Sequence, residues 1–457
     1  MLMIPCIAPA ELTGYERAEK GSSKLVPVTL QYTEAQSLAE NTPTLDATSH
    51  RSRSLTSQAS ITLNGLPNGP ISALLEELLI MIFDDVITSE SSLCQYRRTY
   101  TGGWLSSPRN LASVSRAWRT IVFTCPKLWR LVHLTPFQSI RALKEQLLCS
   151  SPISIHLTVH QWPFRNPIPA SEPFSIVTLT AQLRSIVSPP DNGGTSPAPA
   201  SQRVESVTIN ATERGAFLNF VLQAWTGRES KFPALRHVAM NGNVCATWSR
   251  GCFFDEKNSP GLERLELSNV LIAHNGYRPP WGIGSNLTTL VWTAPVHRHG
   301  SLVVSVSCFH HVVSSFPRLT TLELHEHVVA LEFATMECLG ESGVTPLTHI
   351  RDLRISGRVF PNSRAAYTLF HLLPSLRHVV VRGRACSGPL ELRTVTLALQ
   401  GLINLPQVLG WPIVLPNLED LELECVEDAC AEWREWCMRE LELWKENNRD
   451  GMRIRLQ

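Results

Sequence analysis

The chain has no C-x-x-C pair, no long apolar run, no block of Lys and Arg, and no glycine-rich phosphate loop or G-x-S-x-G elbow. Each absence removes a class of function. The 12 cysteines stand singly and irregularly from Cys6 to Cys437, unlike the dense framework of a disulfide-stapled secreted chain, so they read as reduced thiols of the cytosol or nucleus. A bilayer span needs roughly 18 consecutive apolar residues, and none occurs. The N-terminal MLMIPCIAPAELTGYERAEK lacks a basic start and a sustained apolar stretch, so no secretory signal is expected. Forty-one basic against 40 acidic side chains give a net charge of +1, with no aromatic-basic stripe. Nucleic acid and membrane are therefore not expected partners.

What is present is enough apolar material, 43% against 18% charged, to bury a core over most of 457 residues. That length suits two or three domains, or one domain with a repeat array. Residues 1–64 are rich in Ser, Thr, Ala and Glu without periodicity and read as a disordered tail. The stretch Ser188 to Arg203, SPPDNGGTSPAPASQR, reads as a surface loop.

Two apolar phrases carry the strongest signal. LLEELLIMIF, from Leu74 to Phe83, places Leu74, Leu78 and Ile82 on one helical row and Leu75, Leu79 and Phe83 on the next. That apolar surface is wider than one core contact absorbs. Glu76 and Glu77 sit near the helix N-terminus, where the macrodipole favours negative charge. LASVSRAWRTIVFTCPKLW, from Leu111 to Trp129, predicts a second helix. It has Pro108 at its start and a stripe of Leu111, Val114, Trp118 and Ile121, and it stops before Pro126. A third short element begins at Lys127, and Thr88 to Ser107 reads as a loop.

These phrases resemble the F-box proteins, in particular the F-box-like group of filamentous and mushroom-forming fungi. The family's LPxELLxxIF is matched by Leu74, Glu77, Leu78, Leu79, Ile82 and Phe83. Its VCRxWRxIxxxxPxLW is matched by Val114, Trp118, Arg119, Ile121, Pro126, Leu128 and Trp129. The family's proline falls on Leu75, with Leu66-Pro67 upstream, and its cysteine falls on Ser115. The resemblance implies a helical module over 65–135 that docks on a Skp-type adaptor, and through it on a cullin-RING ubiquitin ligase. Leu74, Glu77, Leu78, Ile82, Phe83, Val114, Trp118 and Ile121 would then carry that contact.

Behind this module an L-x-x-L-x-L phrase recurs, often preceded by proline: Leu235, Val238, Met240; Leu262, Leu265, Leu267; Leu287, Leu290, Trp292; Leu319, Leu322, Leu324; Ile350, Leu353, Ile355; Leu376, Val379, Val381; and Leu418, Leu421, Leu423. Val204, Val207 and Ile209 fit, and Leu128, Leu131 and Leu134 fit loosely. From Val204 onward the spacings are 31, 27, 25, 32, 31, 26 and 42, near the leucine-rich-repeat period but scattered. Each phrase reads as a strand with its fourth and sixth positions inward. Apolar faces such as Phe217, Phe220, Val221 and Trp225 read as intervening helices. The expected fold is therefore α/β: a small helical F-box-like module followed by an irregular leucine-rich-repeat-like solenoid over 136–457. A C-terminal helical cap over 427–457 would close it, with Met452 to Leu456 as the last strand.

The outward strand positions His237, Arg264, Glu266, Glu323, His325, Arg354, Arg382, Glu422 and Glu424 form the expected face for a target protein. No residue set is selected as catalytic, cofactor-binding or metal-binding. His325-Glu-His327 and the His310-His311 pair beside Cys308 read as surface histidines, and Cys425, Cys430 and Cys437 as packing residues. The expected function is a substrate-recruiting adaptor acting by proximity in the cytoplasm or nucleus, not an enzyme. Two alternatives stand beside it: a repeat scaffold that no longer binds a ligase, and an α/β enzyme within 150–457.

Overall fold

The computed structural model describes residues 75–96, 108–135, 138–160, 176–188, 198–211, 215–225, 231–246, 256–272, 286–293, 306–325, 345–356, 359, 362–382, 392–401, 415–424, 435, 438–439, 441–442 and 453–456. The tail 1–64, most of the 188–203 loop, Leu74, His327 and most of the C-terminal cap lie outside these residues. Among them, Glu76–Gln457 forms one compact unit.

Helix α1 (Glu76–Tyr96) runs further than the sequence suggested, taking in Thr88–Tyr96 that had read as loop. The second phrase is two helices, α2 (Pro108–Val114) and α3 (Arg116–Thr124), broken at Ser115. Ser115 is extended (φ −153°, ψ 167°) and its hydroxyl accepts from the Trp118 N–H, so it caps α3. The cap explains the break: Ser115 satisfies a helix end where the continuous reading placed helix interior. A 3-10 turn (Pro126–Trp129) follows. Leu79, Phe83 and Ile87 of α1 bury against Ala112, Val122, Leu128 and Trp129. The Phe83 and Trp118 ring centroids lie 4.6 Å apart, and the Trp129 indole donates to the Val122 carbonyl at 2.8 Å. Asp84 accepts Lys127 at 3.0 Å and Arg130 at 3.2 Å, tying α1 to the turn.

The chain then enters the sheet without a linker. The strands are β1 (Leu131–Leu134), β2 (Ile155–His160), β3 (Val204–Ala211), β4 (His237–Ala246), β5 (Arg264–Ile272), β6 (Thr289–Thr293), β7 (Thr321–His325), β8 (Asp352–Ser356), β9 (His378–Arg382), β10 (Asp420–Glu424) and β11 (Arg453–Leu456). They form one sheet in strictly sequential order, and every pairing is parallel. Helices α4 (Ile140–Cys149), α5 (Ile176–Val187), α6 (Gly215–Ala224), α7 (Val306–Ser314), α8 (Ser363–Leu372) and α9 (Leu392–Leu399) lie between strands.

This corrects the expected architecture. In place of a helical F-box-like module followed by a repeat solenoid, the described residues form one α/β unit built on an all-parallel eleven-stranded sheet. The reason is physical: L-x-x-L-x-L reports a strand with alternate residues buried, and any parallel strand of an α/β sheet has that pattern. The phrase also passes over β2 and the helices α4 and α5, which fill 140–187 within the expected solenoid. The loose phrase at Leu128 was one residue out of register, since Val132 and Leu134 are the buried residues of β1.

Strand positions elsewhere follow the pattern. Two register rows, Val132 through Leu157, Val207, Val238, Leu265, Leu290, Leu322, Leu353 and Val379 to Leu421, and Leu134 through Met240, Trp292 and Val381 to Leu423, are buried throughout. Before five strands the chain turns at an x-Pro-x-Leu step, in which the Leu N–H bonds the carbonyl three residues back. The pairs are Leu235 to Phe232, Leu262 to Ser259, Leu319 to Phe316, Leu376 to Leu373 and Leu418 to Leu415, at 3.1–3.4 Å. Proline at the second turn position has its φ preset for this geometry, which is why it recurs there. The Arg203 guanidinium donates to the Leu147, Ser150 and Ile153 carbonyls at 2.8–2.9 Å, satisfying the end of α4.

Candidate interaction surfaces

The first surface is the outer side of α1. A helix buries one stripe, and here that stripe is Leu79, Phe83 and Ile87. The rows beside it stay in solvent: Leu78 is 44% exposed, Met81 64% and Ile82 48%, whereas Phe83 is 1% exposed. Val114, the last residue of α2, is 62% exposed. Of the residues expected to contact an adaptor, Leu78, Ile82, Val114 and Glu77 are therefore at the surface. Trp118 and Ile121 are half-buried against the module's core, and Phe83 lies wholly within it, so these three shape the surface from beneath. Leu74 lies outside the described residues. Met81 went unselected because it falls outside the family phrase, although helical spacing sets it beside Leu78 and Ile82.

The second surface is the side of the sheet carrying the outward strand positions. Six of the nine residues expected there form one connected network. Glu266 accepts from Arg264 at 2.7 Å and lies 3.2 Å from the His237 ring nitrogen. Arg264 also reaches Glu323 at 3.4 Å, and Glu323 meets Arg354 at 3.4 Å and His325 at 3.7 Å. The His237 imidazole, followed by Arg264, draws the Glu266 carboxyl down to about 2 against the opposing effect of burial. His325 does the same for Glu323 in direction, with Arg264 and Arg354 adding to it. The arginines remain substantially exposed, so water screens these pairs, and their main effect is to fix side-chain geometry across β4, β5, β7 and β8.

The other three residues fall outside that network. Arg382 is exposed on β9, and Glu424 pairs with it in backbone register on β10, its side chain lying outside the description. Glu422 lines an open depression of about 260 Å³ with Asp352, Arg354, His378, Asp420 and Arg455. There Asp420 is held by His378 at 3.0 Å and by Arg453 at 2.9 Å. Sequence reasoning missed Asp352, His378 and Asp420, although the rule that selected His237 and Arg264, the third residue of each phrase, selects them too.

Toward β1 and β2, among the described residues, hydrogen-bonded polar pairs take the place of the ion pairs. The His156 ring bonds the Ser206 hydroxyl at 2.8 Å, and Asn241 donates to Asn210 at 2.8 Å. His133 and His160 are joined at 3.0 Å between Nδ1 and Nε2. Because the strand order never reverses, the sheet has no topological switch point of the kind where doubly wound sheets bind ligands. Among the described residues no group of three or more His, Cys, Asp or Glu is arranged to hold a metal ion, and no helix is long and apolar enough to cross a membrane. His310 bonds the Thr345 carbonyl at 2.7 Å. No protein-family model and no curated protein matches the chain.

Proposed function

We propose that the chain is a substrate-recruiting adaptor of a ubiquitin ligase of the Skp/cullin/F-box type, with α1 to α3 docking on a Skp-type protein and the sheet face holding the target. The observation that carries this reading is the division of α1 into a buried stripe and an exposed apolar one, Leu78, Met81 and Ile82. Monomeric surfaces keep large apolar side chains scattered, and a row of them on one helix is the usual mark of a partner. The sequence resemblance supplies the partner's identity. The mechanism is proximity: a target held on β4 to β11 is kept at high effective concentration near the conjugating machinery, and the chain itself does no bond chemistry.

The test is co-purification of the full chain with a Skp-type adaptor, using another F-box protein as the positive control. Stable complex formation that is lost in Leu78→Ala/Ile82→Ala is the expected result. Failure of the wild-type chain to bind where the control binds overturns the ligase reading and leaves a scaffold for protein assembly.

A further inference from the structure

We infer, on the reading that the sheet face holds a target protein, that the depression over Val380 takes an arginine side chain from an extended segment of that target. Two register rows form the depression. One runs Arg354, Val380, Glu422 and Arg455 across β8 to β11, and the other Asp352, His378, Asp420 and Arg453. Strand alternation puts both rows on the outward face. Val380 is the short side chain in its row, so Arg354 and Glu422 stand above it on either side and leave about 260 Å³ between them. Small-molecule pockets run to roughly 300–1,000 Å³ and enclose their ligands. This depression is smaller and open, which suits a single side chain presented by another protein.

Its charge selects a cation. Arg354 is drawn toward Glu323 on β7 at 3.4 Å, and Asp420 is held by His378 at 3.0 Å and by Arg453 at 2.9 Å. Those pairs are balanced. Of the charges that remain, Asp352, Glu422 and Arg455, none has an ion-pair partner among the described residues. Asp352 and Glu422 are half-buried in the depression, while Arg455 is exposed on β11. Two carboxylates against one guanidinium leave one negative charge, which a single cation from a partner neutralises.

The shape favours arginine over lysine. The two carboxylates stand on β8 and β10, with Val380 of β9 between them. A guanidinium presents a planar fork of N–H donors that can serve two acceptors at once, whereas an ammonium is a compact, strongly hydrated point charge. The arginine stem and the weakly hydrated guanidinium face also lie readily on an apolar floor, here Val380. In an adaptor the choice has a further consequence. A lysine held in the depression would be withheld from modification, whereas an arginine anchor leaves the target's lysines free.

The test is methyl nuclear magnetic resonance of the full chain with labelled valine, at low ionic strength so that exposed charges are not screened. The probes are the blocked tripeptide Gly-Arg-Gly and its lysine and citrulline analogues, citrulline keeping the shape of arginine without its charge. A saturable shift of the Val380 methyls is expected with the arginine peptide, weaker with lysine and absent with citrulline. Asp352→Asn and Glu422→Gln should each weaken binding about twofold to fivefold, and together about tenfold. Glu263→Gln, at a carboxylate engaged with Arg236 before β5, should leave it unchanged. Val380 methyls that do not move, that move equally with citrulline, or that respond to lysine as strongly as to arginine overturn the proposal. So does wild-type affinity in the folded double variant. Adaptor co-purification is read separately through α1: arginine binding without adaptor binding keeps the depression and removes the ligase reading, and the opposite result does the reverse.

Discussion

Ile82 and Phe83 are chain neighbours with opposite surroundings, so truncating each should separate binding from folding. Phe83 is 1% exposed and packs its ring against Trp118. Phe83→Ala leaves a cavity among Leu79, Val122 and Trp129 and should cost about 3–5 kcal/mol of stability. Ile82 and Leu78 are 48% and 44% exposed, so roughly half of each side chain still awaits burial. Covering half a Leu or Ile contributes about 1 kcal/mol, so Leu78→Ala/Ile82→Ala should weaken a Skp-type partner by about 2 kcal/mol or more, roughly thirtyfold. The same double change should cost the fold only about 1–2 kcal/mol, because the half already packed is lost without opening a closed core. Urea unfolding gives the first quantity, and calorimetric titration of the folded variants with purified adaptor gives the second. Wild-type affinity in the double variant, or wild-type stability in Phe83→Ala, would refute the reasoning.

Three further outcomes follow from the sheet and its helices. A methyl group on Gly401 would sit 2.8 Å from Ala366 Cβ and 2.9 Å from the Ser363 carbonyl and Tyr367 nitrogen. Gly401→Ala should therefore lower stability by about 1–3 kcal/mol, measured by denaturant midpoint, and an unchanged midpoint would show that the contact with α8 relaxes freely. The low folded pKa values of His133 and His160 mean that the unfolded chain takes up protons first as pH falls below about 6.5. Stability from this pair is then present above pH 6.5 and lost progressively toward pH 4 and 3, so His133→Asn should flatten the stability profile in that window. Glu266, drawn from 4.5 to about 2, acts at lower pH: its contribution is present above 4.5 and fades as pH falls toward 2, and Glu266→Gln should remove that slope in acid titrations followed by fluorescence.

The strands were largely legible because each places two large apolar residues two apart behind a proline-bearing turn, as in Pro233, Leu235, Val238 and Met240. β2 alternates apolar and polar residue types from Ile155 to His160, but no leucine phrase leads into it, so it lies outside the repeat. The architecture was misread because strand pattern records burial and carries no information on how strands join. Width of apolar surface on α1 was visible, yet the distinction between Ile82 and Phe83 rests on where Trp118 and Trp129 arrive in space. The ion network could not be read locally either, since Arg264 and Glu323 are brought together by pairings through β6.

The absence of a linker between Trp129 and β1 turns the sheet into a ruler. His156 donates its N–H to the Arg130 carbonyl at 2.8 Å, and Gln146 reaches the Leu131 carbonyl at 2.8 Å, so the helical end and the first strand are stitched together. Eleven strands in sequential order leave ten intervals of about 4.8 Å, some 48 Å along the sheet. A target gripped at β9 in place of β7 would be carried about 10 Å further from the helical end. On the proposed reading, the strand that makes the grip selects which of the target's lysines comes within reach.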